Sequence, residues 1–287
     1  MSDTASRARD FLEDNPGGVL PANEVAALAG GQHIDDLMRE MILVAADYAQ
    51  PEVSGYKVGA VGLGRSGALI LGANFEFAGA PLAQTVHGEQ CLVANAIGAG
   101  EVGLSRISIS APPCGHCRQF LNELDSAETL EIVIPGRPAV TLESFLPYSF
   151  GPRELGVEGG LMKLADHQLV ATSALSDLGA AATTAANESY APYSKAPAGL
   201  AVEFADGVRF RGQYLENAAF NPSLPPFQAT IAQVIMSGRK ASDIVSWASA
   251  QLRASPVDHF AFGNKFFSWC APNARSEAIE LTIGEAS

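Results

Sequence analysis

Apolar positions in the first half of the chain follow two spacings, one typical of helices and one typical of strands. Residues 34–48 carry apolar side chains three and four positions apart, which predicts an amphipathic helix. Short apolar runs at 58–63 and 68–71, separated by Gly64-Arg-Ser-Gly67, predict a strand, a turn and a second strand. The same signals predict helices from His87 and over 115–124, and strands over 107–109 and 131–134. This order favours an α/β fold in which a sheet is layered with helices.

The second half of the chain repeats the pattern of the first. With an offset of 140 residues, Gly59 falls opposite Gly199 and Glu76 falls opposite Glu216, and a predicted helix over 181–189 precedes the second copy. The same offset places residues of different chemistry opposite the distinctive side chains of the first copy: Phe227 for His87, Ala229 for Glu89, Ala254 for Cys114 and Val257 for Cys117. We therefore expect a duplicated fold whose second copy lacks the chemistry of the first.

These observations predict three segments. Residues 1–45 form an N-terminal helical segment, residues 46–155 form the domain that carries the chemistry, and residues 156–287 form a degenerate copy of it. A stretch rich in Gly and Pro at 151–160 joins the two copies.

Composition and charge limit the partners of this chain. Its 287 residues include 18 Lys and Arg against 31 Asp and Glu, for a formal net charge of −13. No run of basic residues offers a groove for phosphates, so we expect a small-molecule substrate and no nucleic acid. The N-terminus lacks the apolar region of a secretory signal, and no segment is apolar for long enough to cross a membrane. The four cysteines do not resemble a disulfide framework, which predicts a cytoplasmic protein.

Two short motifs carry candidate chemistry, His87-Gly-Glu89 and Pro113-Cys114-Gly-His-Cys117. Zinc binds imidazole nitrogen and thiolate sulfur in a tetrahedron, and a catalytic zinc keeps one position for water. A Cys-x-x-Cys pair at the start of a helix directs both sulfurs to one ion, and the helix N-terminus favours their thiolate form. We therefore predict that His87, Cys114 and Cys117 bind Zn²⁺. Glu89 lies close to this ion without being a ligand and is predicted to carry protons.

The combination of His-x-Glu with a later Pro-Cys-x-x-Cys is the signature of the zinc deaminases that act on nucleobases. Beyond it, the chain resembles the two-domain, homodimeric cytidine deaminases of bacteria and plants in a series of short segments: Asn74-Phe-Glu76-Phe, Gln84-Thr-Val-His-Gly-Glu-Gln90, Pro113-Cys-Gly-His-Cys-Arg-Gln-Phe120, Pro147-Tyr-Ser-Phe-Gly-Pro152, Tyr193-Ser-Lys and Glu216-Asn-Ala-Ala-Phe-Asn-Pro222. This resemblance runs from about residue 34 to about residue 237.

The resemblance implies a three-layer α/β/α sandwich, present as a catalytic copy and a degenerate copy, with one zinc per subunit. It implies hydrolysis of cytidine, and of 2′-deoxycytidine, through a zinc-bound hydroxide that attacks C4 while Glu89 shuttles protons. The reaction belongs to pyrimidine salvage.

The resemblance also implies a substrate site. Asn74 and Glu76 would bind the ribose hydroxyls, Tyr56 would lie near the base, and Phe150 would complete the site of the partner subunit in a homodimer. Gly88 stands where the family often has Ala and would leave the pocket floor looser. Ala111 stands where an aromatic residue is expected.

Three alternatives remain open on the residues alone. Cys114-Gly-His-Cys117 also fits a redox dithiol, although that chemistry gives no role to Glu89. A purely structural zinc site would need a fourth protein ligand, for which Cys91 is the candidate. A deaminase of RNA or DNA would use the same metal chemistry, and the acidic composition argues against it.

Overall fold

A computed structural model describes residues 2–163 and 165–284 of the chain. The chain divides into two compact units, the first formed by Met1–Lys163 with Met236–Gly238 and the second by Leu164–Ile235 with Arg239–Ser287. Among the residues described, no helix combines the length and the apolar composition that crossing a membrane requires.

The first unit begins with helices and continues with a six-stranded sheet. Its helices are α1 (Asp3–Asp14), α2 (Ala22–Ala29), α3 (Ile34–Ala46), α4 (Gly88–Gly98) and α5 (Gly115–Leu121). Its strands are β1 (Val19–Leu20), β2 (Gly59–Gly64), β3 (Leu69–Ala73), β4 (Leu104–Ile109), β5 (Glu131–Val133) and β6 (Val140–Thr141). The sheet order is β1-β3-β2-β4-β5-β6, in which β4 and β5 run parallel and the other neighbours antiparallel.

Two glycines of β2 show how the layers of the first unit are stacked. A Cβ at Gly59 would come within 2.1 Å of the Ile42 carbonyl oxygen in α3, and a Cβ at Gly62 would come within 3.1 Å of Leu92 in α4. Positions of opposite parity in a strand face opposite sides of the sheet, so α3 and α4 cover opposite faces. The predicted three-layer α/β/α arrangement is confirmed.

The second unit has the same plan. Its helices are α6 (Asp177–Asn187), α7 (Pro226–Met236) and α8 (His259–Cys270), and its strands are β7 (Leu169–Ala171), β8 (Ala198–Phe204), β9 (Arg209–Gln213), β10 (Ile244–Leu252) and β11 (Arg275–Ile283). The order is β7-β11-β10-β8-β9, with β10 and β11 parallel. Gly199 of β8 abuts α6, whereas Gly212 of β9 abuts α7. Because Gly212 pairs with Leu200, the neighbour of Gly199, the two helices again cover opposite faces.

Several predicted elements end at different residues. The helix predicted over 34–48 ends at Ala46. The helix predicted over 115–124 ends at Leu121, and Leu124 instead forms a β-bridge with Leu161. The helix predicted over 181–189 covers Asp177–Asn187, because the Ser176 hydroxyl caps its N-terminus by accepting the Gly179 N–H.

The constant offset of 140 residues is wrong at the helix starts. Phe75 bridges to Val86 in the first unit, whereas its counterpart Leu215 bridges to Leu224. The second connection is thus shorter, and it shifts α7 by two residues. Accordingly, the structure pairs the important positions differently from the sequence offset: Pro225 rather than Phe227 corresponds to His87, Phe227 rather than Ala229 to Glu89, Asp258 rather than Ala254 to Cys114, and Ala261 rather than Val257 to Cys117. None of these four positions of the second unit carries the residue of its counterpart, and the described part of this unit holds no group of converging metal ligands.

Candidate active site

Two helix starts bring the candidate metal ligands together. Cys114 is the N-cap of α5 and Cys117 lies in the first turn of that helix, so their side chains share one face. His87 is the N-cap of α4, where the Gln90 side-chain oxygen accepts its backbone N–H. The two helix starts therefore present three ligand side chains to one another.

The ligand atoms of His87, Cys114 and Cys117 all lie within 4.8 Å of one another. The Cys114 Sγ is 3.5 Å from the His87 Nδ1 and 3.6 Å from the Cys117 Sγ. Within 2–163 and 165–284, this is the one group of three or more His, Cys, Asp or Glu side chains whose ligand atoms converge in this way. One nitrogen and two sulfurs fit the donor preference of zinc.

The two thiols have opposite tendencies to ionise. A hydrogen bond between the Cys114 and Cys117 sulfurs lowers the pKa of Cys114 to about 4 despite burial. The same hydrogen bond, together with burial, raises the pKa of Cys117. One sulfur is therefore a thiolate at neutral pH, which is the form that binds a metal.

Glu89 lies in the first turn of α4, two residues after His87, and is 4% exposed. Its pKa is raised by burial, which outweighs the opposing effects of its own backbone amide, of Cys117 and of His87. Residues 88–96 of α4 are all buried, and the Glu89 carboxyl group contacts the buried Cys117 thiol, whereas Cys114 of the same group is exposed to solvent.

Cys91 does not join the metal group among the described residues. It is fully buried next to the Ala73 backbone, and burial raises the pKa of its thiol to about 12. Its sulfur does not converge with the ligand atoms of that group, so Cys91 does not supply the fourth protein ligand that a structural zinc site needs. The other neighbour is His116, whose ring centroid lies 5.2 Å from that of His87.

Asn74 and Glu76 follow β3 and hold the segment 53–58, which precedes β2. The Asn74 side-chain oxygen accepts the Val58 N–H at 2.8 Å, and its amide donates to the Tyr56 carbonyl at 2.9 Å. The Glu76 carboxylate accepts the N–H groups of Val53 and Ser54 and the Ser54 hydroxyl, all within 2.8 Å. Despite burial, the bonds from Ser54 and Val53 lower the pKa of Glu76. Both side chains are therefore part of the frame of this segment.

Of the remaining predicted substrate residues, Tyr56 and Gly88 lie in or against the segment 53–58, and Phe150 lies on a different segment. The Tyr56 side chain is 63% exposed, and a Cβ at Gly88 would lie 3.2 Å from Val58, so Gly88 abuts the segment that Asn74 holds. Phe150 is half exposed, and its carbonyl oxygen accepts hydrogen bonds from Gln119 of α5 and from the C-cap residue of that helix, Asn122.

Sequence reasoning missed two residues. Ser54 joins Glu76 to the Tyr56 N–H through its hydroxyl, and Arg118 links Pro113 to Phe145. The repetition of Ser54 as Ser194, and the position of Arg118 directly after Cys117, were the available signals.

Comparisons with known proteins agree with this geometry. Family models described as the cytidine and deoxycytidylate deaminase zinc-binding region match residues 32–132 and 142–262. A cytidine deaminase of Vibrio cholerae serotype O1 is 43% identical over 231 residues, which cover 80% of this chain and 78% of that protein. One from Serratia proteamaculans is 46% identical over 77% of this chain and 75% of that protein. A crystal structure of cytidine deaminase from Mycobacterium tuberculosis is 30% identical with a TM-score of 0.37, covering 40% of this chain and 96% of its own.

Taken together, the duplicated layered fold and the imidazole and thiol group beside a buried carboxyl define a zinc-dependent hydrolase. The chain belongs to the cytidine deaminase family.

Proposed function

We propose that the chain hydrolyses cytidine, and also 2′-deoxycytidine, to the corresponding uridine nucleoside and ammonia. The convergence of His87, Cys114 and Cys117 beside the buried Glu89 carries this proposal. A redox dithiol has no use for Glu89, and a structural zinc site has no fourth ligand in Cys91.

In the proposed mechanism, His87, Cys114 and Cys117 would hold a zinc ion, which would lower the pKa of a water to about 7 and so supply the nucleophile for C4 of the cytosine ring. Glu89 would carry the two protons that hydrolysis must move. One goes to N3 of the ring, where it stays in the uridine product, and the other goes to the amino group, which leaves as ammonia. Burial favours the protonated form of Glu89, which suits a group that must return each proton.

For the sugar, we propose that Asn74 and Glu76 bind the ribose hydroxyls while they hold the segment 53–58. A carboxylate accepts about four hydrogen bonds and an amide takes part in about four, so both groups keep capacity beyond the bonds they already make. Tyr56 would then lie near the base, and Gly88 would form the floor beside Val58.

We also propose a cytoplasmic homodimer, with one zinc per subunit, in which Phe150 completes the site of the partner. Tyr148 is fully exposed and Phe150 is 46% exposed, two aromatic side chains close together on one segment. Exposed aromatic side chains of this kind are typical of protein interfaces. The four cysteines are free thiols, which suits a reducing compartment.

The decisive experiment measures metal content and deamination on one sample. We expect one zinc per chain, release of ammonia from cytidine and deoxycytidine, and X-ray absorption that shows one nitrogen, two sulfurs and a light oxygen ligand. Zinc with four protein ligands and no turnover would refute the proposal. A Cys91→Ser variant is the control, since its zinc content and activity should be unchanged.

Subunit complementation tests the shared site. Co-refolding equal amounts of inactive Glu89→Gln and Phe150→Ala chains gives mixed dimers in which one of the two sites has both an intact Glu89 and a Phe150 from its partner. Random pairing predicts about one quarter of the wild-type activity. A mixture no more active than its parts would show that Phe150 does not act across an interface.

A further inference from the structure

Two side chains of α5 and the side chain of the residue that caps its C-terminus hold the segment 145–150. The Arg118 guanidinium donates from Nη1 to the Phe145 carbonyl at 3.0 Å. Gln119 and Asn122 both donate to the Phe150 carbonyl, at 2.8 and 3.1 Å. The helix that follows the proposed ligand Cys114 is therefore hydrogen-bonded to both ends of the segment 145–150.

Arg118 also contacts the turn that precedes α5. Its Nε donates to the Pro113 carbonyl at 2.7 Å, and the peptide that contains this carbonyl leads directly into Cys114. The guanidinium carbon also lies 5.3 Å from the centroid of the Phe145 ring, within the range of a cation–π interaction. One planar cation thus joins the turn before Cys114 to the segment that bears Phe150.

The chemistry of arginine suits this double role. A guanidinium has five N–H donors in a rigid fork, so Nε and Nη1 can satisfy two carbonyls in fixed directions. A lysine at this position would bring one mobile ammonium group and would give up one contact or weaken both. The segment needs such support because Tyr148 has a φ of 53°, a left-handed conformation that is unfavourable for an aromatic residue.

We infer that Arg118 is a positioning residue that couples the turn before Cys114 to the segment carrying Phe150. It fixes the direction in which Phe150 is presented, and Gln119 and Asn122 hold the far end of the same segment. This inference rests on the proposed function for the role given to Phe150, but the contacts themselves do not depend on catalysis.

The first test uses hydrogen exchange on the full-length, zinc-loaded protein. In Arg118→Lys, and in Asn122→Ala as a second variant, we expect faster exchange of the amides of residues 148–150. The matched control is Arg9→Lys, because Arg9 pairs with Asp47 far from this segment in the sequence and should leave the exchange unchanged. Wild-type exchange in both Arg118→Lys and Asn122→Ala would overturn the inference.

The second test separates positioning from general stability. We expect Arg118→Lys to raise KM for cytidine about tenfold while kcat stays near wild type, since one charge-assisted hydrogen bond is lost or weakened. In a Phe150→Leu background, where the side chain is altered but not removed, the same change should add little, because Arg118 acts through Phe150. Additive effects on KM would overturn the coupling. A wild-type chain without deamination would refute the proposed function, and the exchange measurement would still decide the inference.

Discussion

The two units share their scaffold and differ where the helices begin. Gly59 abuts α3 as Gly199 abuts α6, and Glu76 holds the segment before β2 as Glu216 holds the N–H groups of Tyr193 and Ser194 before β8. Contacts present in both units therefore support the fold. Contacts present in one unit are the candidates for chemistry.

The two units differ in the side chains at the start of α4 and at the start of its counterpart α7. In the first unit, His87 is the N-cap of α4, and Glu89 in the first turn contacts Cys117. In the second unit, Phe227 stands at the position of Glu89, and its ring lies 5.0 Å from Phe262 and 4.6 Å from Phe266. One backbone plan thus accommodates either a candidate ion-binding group or packed aromatic rings, and the side chains at four corresponding positions differ between the two.

The largest effect is expected from Glu89→Gln. Loss of the proton carrier should lower kcat by about 10²–10⁴-fold, while zinc content stays near one per chain. Phe227→Leu, at the matching position of the second unit, should retain activity. Steady-state assays with metal analysis check this pair, and an active Glu89→Gln enzyme would remove Glu89 from its proposed role.

Acid should destabilise the second unit through His259. This side chain is 4% exposed, its Nε2 has no hydrogen-bond partner, and burial lowers its pKa to about 4 despite the opposing charge of Asp258. In the unfolded chain His259 binds a proton near pH 6.5, whereas in the folded chain it stays neutral down to about pH 4. The contribution of the neutral side chain to stability is therefore complete above pH 6.5 and is lost as the pH falls from 6.5 towards 4. The loss amounts to about 3 kcal/mol at most. Denaturation of wild type and His259→Phe at pH 7 and pH 4.5 measures it, and an identical pH dependence in both would contradict this account.

The matched pair Glu76→Gln and Glu216→Gln separates scaffold from substrate binding. Each change replaces an accepting oxygen by an amide that faces backbone N–H groups, and should cost about 1–3 kcal/mol of stability. If Glu76 also binds the ribose, only Glu76→Gln should raise KM for cytidine. Equal KM values for the two variants would show that Glu76, like Glu216, acts only in the structure.

The smallest effect is expected from Gly88→Ala. The added methyl would lie 3.2 Å from Val58 and 3.6 Å from Ala60, so Val58 must shift by a few tenths of an ångström. Alanine also favours the helix by about 1 kcal/mol, so the net change in stability should stay within about 1 kcal/mol. A several-fold change in KM with an unchanged melting temperature would assign Gly88 to the pocket floor, whereas no change in KM would separate it from the substrate.

Local signals made the metal group and the element order predictable. Cys114, Cys117 and His87 belong to short motifs at helix starts, where spacing along the chain determines which face a side chain occupies. The layered arrangement followed from the alternation of helical and strand patterns.

Contacts between distant residues were not predictable. The bond from Ser54 to Glu76 spans 22 positions and that from Arg118 to Phe145 spans 27, and no periodic pattern reports either. The two-residue shift of α7 arises in the connection between Leu215 and Leu224, which is two residues shorter than its counterpart in the first unit. A constant offset cannot reveal such a change in length. Tertiary packing also ended the helix at Leu121, where helical propensity alone would continue it.

The burial of α4 on all sides has a consequence for redesign. Since residues 88–96 have no face towards solvent, a substitution there must be absorbed by neighbours in a close-packed interior. A library meant to broaden the range of cytosine analogues should therefore leave this helix intact. Diversity belongs instead in the exposed side chains of the stretch 53–58, which contacts this helix where Val58 meets Gly88.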